Sequence, residues 1–186
     1  MRLNMKIRTN KIVFGENGQA LLELALVLPL LVLLALGVFD FSRAIHAKNI
    51  ITNVSREGAS LASRSSLPQT DIMNALAYTA QPLDMNNRGM IYITKVTGGI
   101  NTTGSNVHPI IQDTINDQTR WKGKTSPQSK VWNPTDANTN AKNLGTLSLN
   151  NGDAVYVVEV FYDYQSIFSI GNKMLQSHKL YSMTIF

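Results

Sequence analysis

Residues 16–44 read ENGQALLELALVLPLLVLLALGVFDFSRA, and this stretch organises everything else. From Leu24 to Phe39 there are 16 residues without a charge, and 12 of them are Leu, Val or Phe. Extending to Ala20 and Phe41 gives 22 residues. At 1.5 Å per residue such a helix is roughly 33 Å long, enough to cross a hydrocarbon layer about 30 Å thick. On the insertion scale the 12 side chains together favour the membrane by roughly 4 to 7 kcal/mol. A soluble core helix of this composition would need a much larger domain around it. The reading is a membrane-inserted helix. Pro29 lies inside it, where its ring removes a hydrogen bond and predicts a kink. Proline is common in membrane helices and identifies nothing by itself.

The charges in front of the helix orient it. Arg2, Lys6, Arg8 and Lys11 oppose only Glu16 in residues 1–18, whereas just Arg43 and Lys48 follow the apolar run closely. The positive-inside rule puts the N-terminus in the cytoplasm and residues beyond about 42 outside. The formal net charge of +5 and the pI near 9.5 therefore owe much to this basic flank and do not argue for nucleic-acid binding. A cleaved secretory signal is the competing explanation. Its apolar region is shorter, however, and the nearest small-x-small site, Ser42-Arg43-Ala44, contains an arginine. The apolar pattern also runs on through Ala44, Ile45, Ala47, Ile50, Ile51 and Val54 at helical spacing, so the helix extends as a stalk over residues 42–66.

Glu23 is the anomaly. A carboxylate in a first helical turn complements the helix dipole by about 0.3–1 kcal/mol, with Asn17 available as an N-cap. Yet Glu23 lies just inside the apolar stretch, where ionised groups are costly and mark function. A cut between Gly18 and Gln19 would supply a partner: Gln19 would gain a free α-amine, one turn from Glu23.

These residues carry a resemblance. Gly18, then Gln19-Ala20-Leu21-Leu22-Glu23, then a long apolar helix, is similar to the processing site of type IV prepilins. The longer string GQALLELALVLPLLVLLALGVFDFSRA resembles the TadE-like minor pilins, or pseudopilins, of the tight-adherence (Tad) pilus system, over about residues 18–60. The matching features are the G-Q-A start, the acidic residue in the apolar run, the Leu-Pro-Leu step and the exit Asp40-Phe41-Ser42-Arg43. The resemblance implies cleavage after Gly18 by a membrane-embedded aspartic prepilin peptidase, a role for Glu23 in processing or assembly, and partners among other pilin or pseudopilin subunits and an inner-membrane assembly platform. Localisation would be the bacterial inner membrane, with the C-terminal domain periplasmic or carried to the surface in a pilus. Mature type IV pilins often begin with Phe; this chain would begin with Gln19.

The remainder reads as an extracytoplasmic α+β domain, residues 67–186, after a leader (1–18) and a transmembrane and stalk helix (19–66). A short helix is expected over Asp71–Ala80, with Ile72, Ala75, Leu76 and Thr79 on one side. Strands are expected at Met90–Val96, ended by a turn at Gly98-Gly99, at 153–164, at 179–186 and around Asp117–Trp121. In DAVYVVEVFYDY both faces are apolar, which predicts a central strand with one side against the helix. Residues 122–143 form a long loop without a clear element, with Trp132 buried against the sheet or presented as a contact.

Chemistry is sparse. There is no cysteine, so no disulfide, thiolate metal site or cysteine nucleophile is possible. His46, His108 and His178 are scattered without metal-like spacing, and no phosphate-loop, dinucleotide, nucleophile-elbow or zinc-protease motif occurs. Glu159 and Asp163 on one strand face are a conceivable carboxylate pair, although a solvated strand end would explain Asp163. Tyr156, Tyr162 and Tyr164 read as sheet packing rather than stacking platforms for nucleic acid. The expectation is a structural assembly subunit without catalytic residues, cofactor or metal. The alternative is an uncleaved, single-pass anchored binding or adhesion module.

Overall fold

A computed structural model describes residues 16–100, 106–116, 127–132, 140–167 and 178–186. The order of elements is α1 (Glu16–Arg64), α2 (Gln69–Thr79), α3 (Met85–Arg88), β1 (Gly89–Ile100), β2 (Asn106–Asn116), β3 (Ala154–Tyr164) and β4 (His178–Ile185). The chain divides into two compact units, Met1–Asp40 and Phe41–Phe186.

In the first unit, α1 is rich in Leu and Ala, both strong helix formers, and it continues through Pro29. It begins at Glu16, so Asn17 lies within its first turn instead of capping it. Leu24, Leu26, Leu28, Leu30 and Leu34 are all at least half exposed, and none of the most apolar window is covered by the rest of the chain. Helices of soluble proteins bury such a surface; this one is apolar all round and long enough to cross a membrane.

In the second unit, the later part of α1 and α2 pack on a four-stranded antiparallel sheet of order β2-β1-β3-β4. This is an α+β architecture. Ala47, Ile51, Val54, Ala59 and Ala62 of α1 meet Ile91, Ile93, Val158, Val160 and Tyr162 in one core. Ile45, grouped with this stripe by spacing, is instead 46% exposed. Small residues on the helix allow close approach: a Cβ on Gly58 would lie 2.6 Å from Leu76 Cδ1 and 3.1 Å from Val158 Cγ1. α1 stops at Arg64 because Leu67 precedes Pro68 and is barred from helical geometry. α2 buries Ile72, Met73, Leu76 and Ala77, with Ala75 and Thr79 exposed. The buried stripe is thus rotated from the expected one, toward the larger Met73.

β3 is central, as its two apolar faces predict. Its even residues face the helices: Tyr162 and Tyr164 are buried there and Tyr156 packs alongside, so the tyrosines serve the core. Its odd residues face a second layer, in which Val157 joins Val96, Val131 and Leu149. Two strand readings change. Gly98-Gly99 is no turn; both lie inside β1, beside a register shift in the β1–β2 pairing. A bulge of this kind is where glycine is tolerated in a strand. β2 was not foreseen, because its Pro109 argues against a strand; it is an edge strand, where proline is admissible. The strand expected around Asp117–Trp121 lies outside the described residues.

Candidate processing and assembly site

The residues singled out at the N-terminal end share one helix surface. Gly18 is half-buried, while Gln19 and Glu23 are exposed. Four residues apart on α1, they stand one above the other. The Gln19 side-chain amide donates from Nε2 to Glu23 Oε1 at 3.3 Å. The sequence offers Glu23 no cation within one turn; its partner is the neutral amide of Gln19. The same residue would carry the new α-amine after a cut at Gly18. At the other end of the apolar run, Asp40 is half-buried and closes the first unit; Arg43 is exposed in the second, and each has polar interactions.

Residues 18–60 match the model of a family described as TadE-like protein. Residues 18–60 of this chain are similar to that family. The match starts at Gly18, takes in Glu23, the apolar run and Asp40–Arg43, and ends within the part of α1 that packs on the sheet. It is consistent with a TadE-like protein of Tad pilus systems. No curated protein and no solved structure matches the chain.

Outside the TadE-like segment, the most constrained polar group is Glu159 on β3. It is fully buried. Its carboxylate accepts from the Ser129 hydroxyl, from the backbone N–H of Lys130 at 2.9 Å and from the Tyr181 hydroxyl at 2.9 Å. Ser129 Oγ in turn accepts the N–H groups of Val131 and Trp132, at 3.1 and 3.0 Å, so that Glu159 organises one tight turn of the long loop. The Lys130 ammonium sits 3.8 Å from the Tyr181 ring centroid, and Tyr92 donates to the Pro127 carbonyl at 2.6 Å. Burial, then the nearby Glu159 charge and its hydrogen bond, push the Tyr181 phenol well above its ordinary pKa. The described part of the 122–143 loop is therefore a structural cover on the sheet, with Val131 fully buried and Trp132 half-buried.

The Glu159–Asp163 carboxylate pair does not form a site. Two strand residues four apart stand about 13 Å from each other. Glu159 is consumed by the loop, and Asp163 is half-buried opposite Lys179 instead of lying at a solvated strand end. Among the described residues no three His, Asp or Glu side chains gather as a metal ion would require. His46 is exposed on α1. The side chains of His108 and His178 lie outside what is described.

Proposed function

We propose that this chain is a minor pilin or pseudopilin of a Tad-type pilus or secretion apparatus, matured by a prepilin peptidase that cuts between Gly18 and Gln19. The observation that carries the reading is the start of the TadE-like match at Gly18, the residue before the proposed cut. The chain then has an assembly role and no reaction of its own. The leader, residues 1–18, stays in the cytoplasm until it is removed. Residues from Gln19 hold a pool of subunits in the inner membrane, with the 67–186 domain outside. Extraction into a filament or initiation complex, driven by the assembly platform, exchanges lipid around the exposed leucines for neighbouring helices.

Glu23 biases this exchange. A carboxylate entering a helix bundle needs a partner, since an unpaired charge there is strongly penalised. The Gln19 amide is a weak partner; the α-amine of Gln19, or that of an adjacent subunit, is a strong one. Processing would thus strengthen a contact already half made.

The Gln19–Glu23 bond also favours the second reading, an uncleaved anchored binding or adhesion module, because it satisfies Glu23 without any new terminus. Intact mass and N-terminal sequencing of the protein recovered from bacterial membranes separate the two. A terminus at Gln19 supports the prepilin. A terminus at Met1 removes it in favour of the anchored module. A start near Ile45 identifies a secretory signal and a released product.

A further inference from the structure

We propose that the second unit binds a neutral saccharide in the cavity between α2 and α3, stacked on the ring of Tyr78. The cavity measures about 350 Å³, and its described lining residues all fall between Asn74 and Asn86. It lies toward the lower end of ligand-sized cavities, the size of a small molecule rather than of a docked protein segment. The site is contained in the second unit and is the same whether or not the chain is cut at Gly18.

The walls are formed before any ligand arrives. Ile72, Met73, Leu76 and Ala77 seat α2 in the core, and Met85 seats α3. Between the helices the Gln81 N–H donates to the Tyr78 carbonyl at 3.4 Å, and the Leu83 N–H to the Ala80 carbonyl at 3.0 Å. The Asp84 carboxylate caps α3, accepting the Asn87 N–H at 3.2 Å and the Asn87 side-chain amide at 2.8 Å. Binding here orders little that folding has not already ordered.

Three side chains select the ligand. Tyr78 lines the cavity yet is 75% exposed, so its ring has a face open to a ligand. The negative face of an aromatic ring attracts C–H groups, which one side of a pyranose presents together. Gln81 is exposed, and its amide combines two N–H donors with a carbonyl acceptor, the pattern that answers adjacent hydroxyls. Asp84 keeps acceptor sites beyond its two bonds to Asn87, and a hydroxyl bonds a charged acceptor more strongly than a neutral one. Asn74 and Asn86 complete the wall and have polar interactions of their own. No lysine, arginine or histidine is among the described lining residues, and the Asp84 charge repels sugar acids and phosphates. A wholly apolar ligand would strip water from Asp84 and Gln81 without replacing it. A divalent cation would find a single carboxylate among these residues, where hard cations gather several oxygen ligands.

Saturation-transfer NMR on the full chain tests the site, in a polyoxyethylene detergent because a glycoside detergent would itself supply a sugar. The panel is glucose, galactose, mannose, N-acetylglucosamine, cellobiose and chitobiose, with glucuronic acid as the charged counterpart of glucose. At least one neutral sugar is expected to receive saturation on its ring C–H protons, and glucuronate is expected to receive none. Tyr78→Ala should weaken that sugar about tenfold, whereas Tyr78→Phe, which keeps the ring, should stay within about twofold. Gln81→Ala should weaken it about fivefold. Both positions are exposed, and a folding defect in one variant, read by far-UV circular dichroism, leaves the other informative. The proposal is overturned if no neutral sugar of the panel binds at millimolar concentration. Undiminished binding by both alanine variants, or glucuronate bound as well as glucose, overturns it equally.

Discussion

Tyr181 on the edge strand β4 donates its hydroxyl to Glu159 on the central strand β3 at 2.9 Å, and the Glu159 carboxylate holds the turn at Ser129 and Lys130. One buried carboxylate therefore ties a strand, its neighbour and a loop together. Glu159→Ala would leave the Tyr181 hydroxyl, the Ser129 hydroxyl and the Lys130 N–H without their acceptor. The expected loss is about 3 kcal/mol. Urea unfolding of the micelle-held chain measures it, and a loss below about 1 kcal/mol would contradict this account of the loop.

The same contact predicts an alkaline transition. The folded Tyr181 phenol holds its proton more tightly than the unfolded one, whose pKa is about 10. Its contribution is thus complete below about pH 10 and disappears as pH rises above that value toward the folded pKa. Stability between pH 9 and 11 should fall more steeply for the wild type than for Tyr181→Phe. The absorbance change at 295 nm that is lost in Tyr181→Phe should appear only as the chain unfolds. Parallel stability curves for the two chains would remove the Glu159 contact from the explanation.

Legibility in the sequence followed the strength of the periodic signal. The apolar helix was readable from its uninterrupted length, and its stalk and the central strand because many residues repeat one pattern, so Ile45 facing outward does not disturb it. β2 and the loop cover were not readable. An edge strand tolerates Pro109 and needs no alternation, and a loop packed through one carboxylate leaves no periodic trace. The odd face of β3, with Glu159 among valines and Phe161, was nevertheless a signal: a carboxylate amid apolar neighbours on a central strand calls for donors from elsewhere in the chain. At the candidate site, spacing places Gln19 and Glu23 one turn apart, but a neutral amide carries no charge by which a partner would be read.

Gly98 provides a backbone test of how the 149–150 segment meets β1. A Cβ there would lie 2.0 Å from the Asn150 carbonyl oxygen and 2.9 Å from that of Leu149. Both are main chain and cannot turn aside as a side chain can. The Gly98 N–H also donates to the Asp153 carbonyl at 2.9 Å, which holds the two segments at this separation. Gly98→Ala should destabilise by about 2 kcal/mol or more through overpacking. Gly145→Ala, where nothing lies within 4 Å, should differ in kind: its cost arises only from the positive φ of 66°. Comparing the urea midpoints of the two variants, with Gly98→Ala no worse than Gly145→Ala, would show that β1 and the 149–150 segment do not meet as described.

A set of hydroxyls joins α1 to β4. Ser55 is fully buried; its Oγ lies 3.0 Å from Ser182 Oγ and 2.9 Å from Thr184 Oγ1, and it donates back to the Thr52 carbonyl at 2.9 Å. One hydroxyl cannot donate to three acceptors, so Ser182 and Thr184 must supply some of these protons. Two turns before Ser55, the Lys48 ammonium bonds the Tyr181 carbonyl. The 156–186 backbone pair is mutually bonded, so by alternation along β4 the Tyr181 carbonyl points away from β3, toward the open edge. Lys48 therefore occupies an acceptor that an edge strand would otherwise offer to another chain. Ser55→Ala should cost about 1–2 kcal/mol because the partner hydroxyls lose their bond. Lys48→Met should change stability little, yet speed hydrogen exchange in β4 relative to β1. If amide exchange in β4 is equally slow in both variants and in the wild type, the strand is held by its pairing with β3 alone, and the hydroxyl seam is incidental.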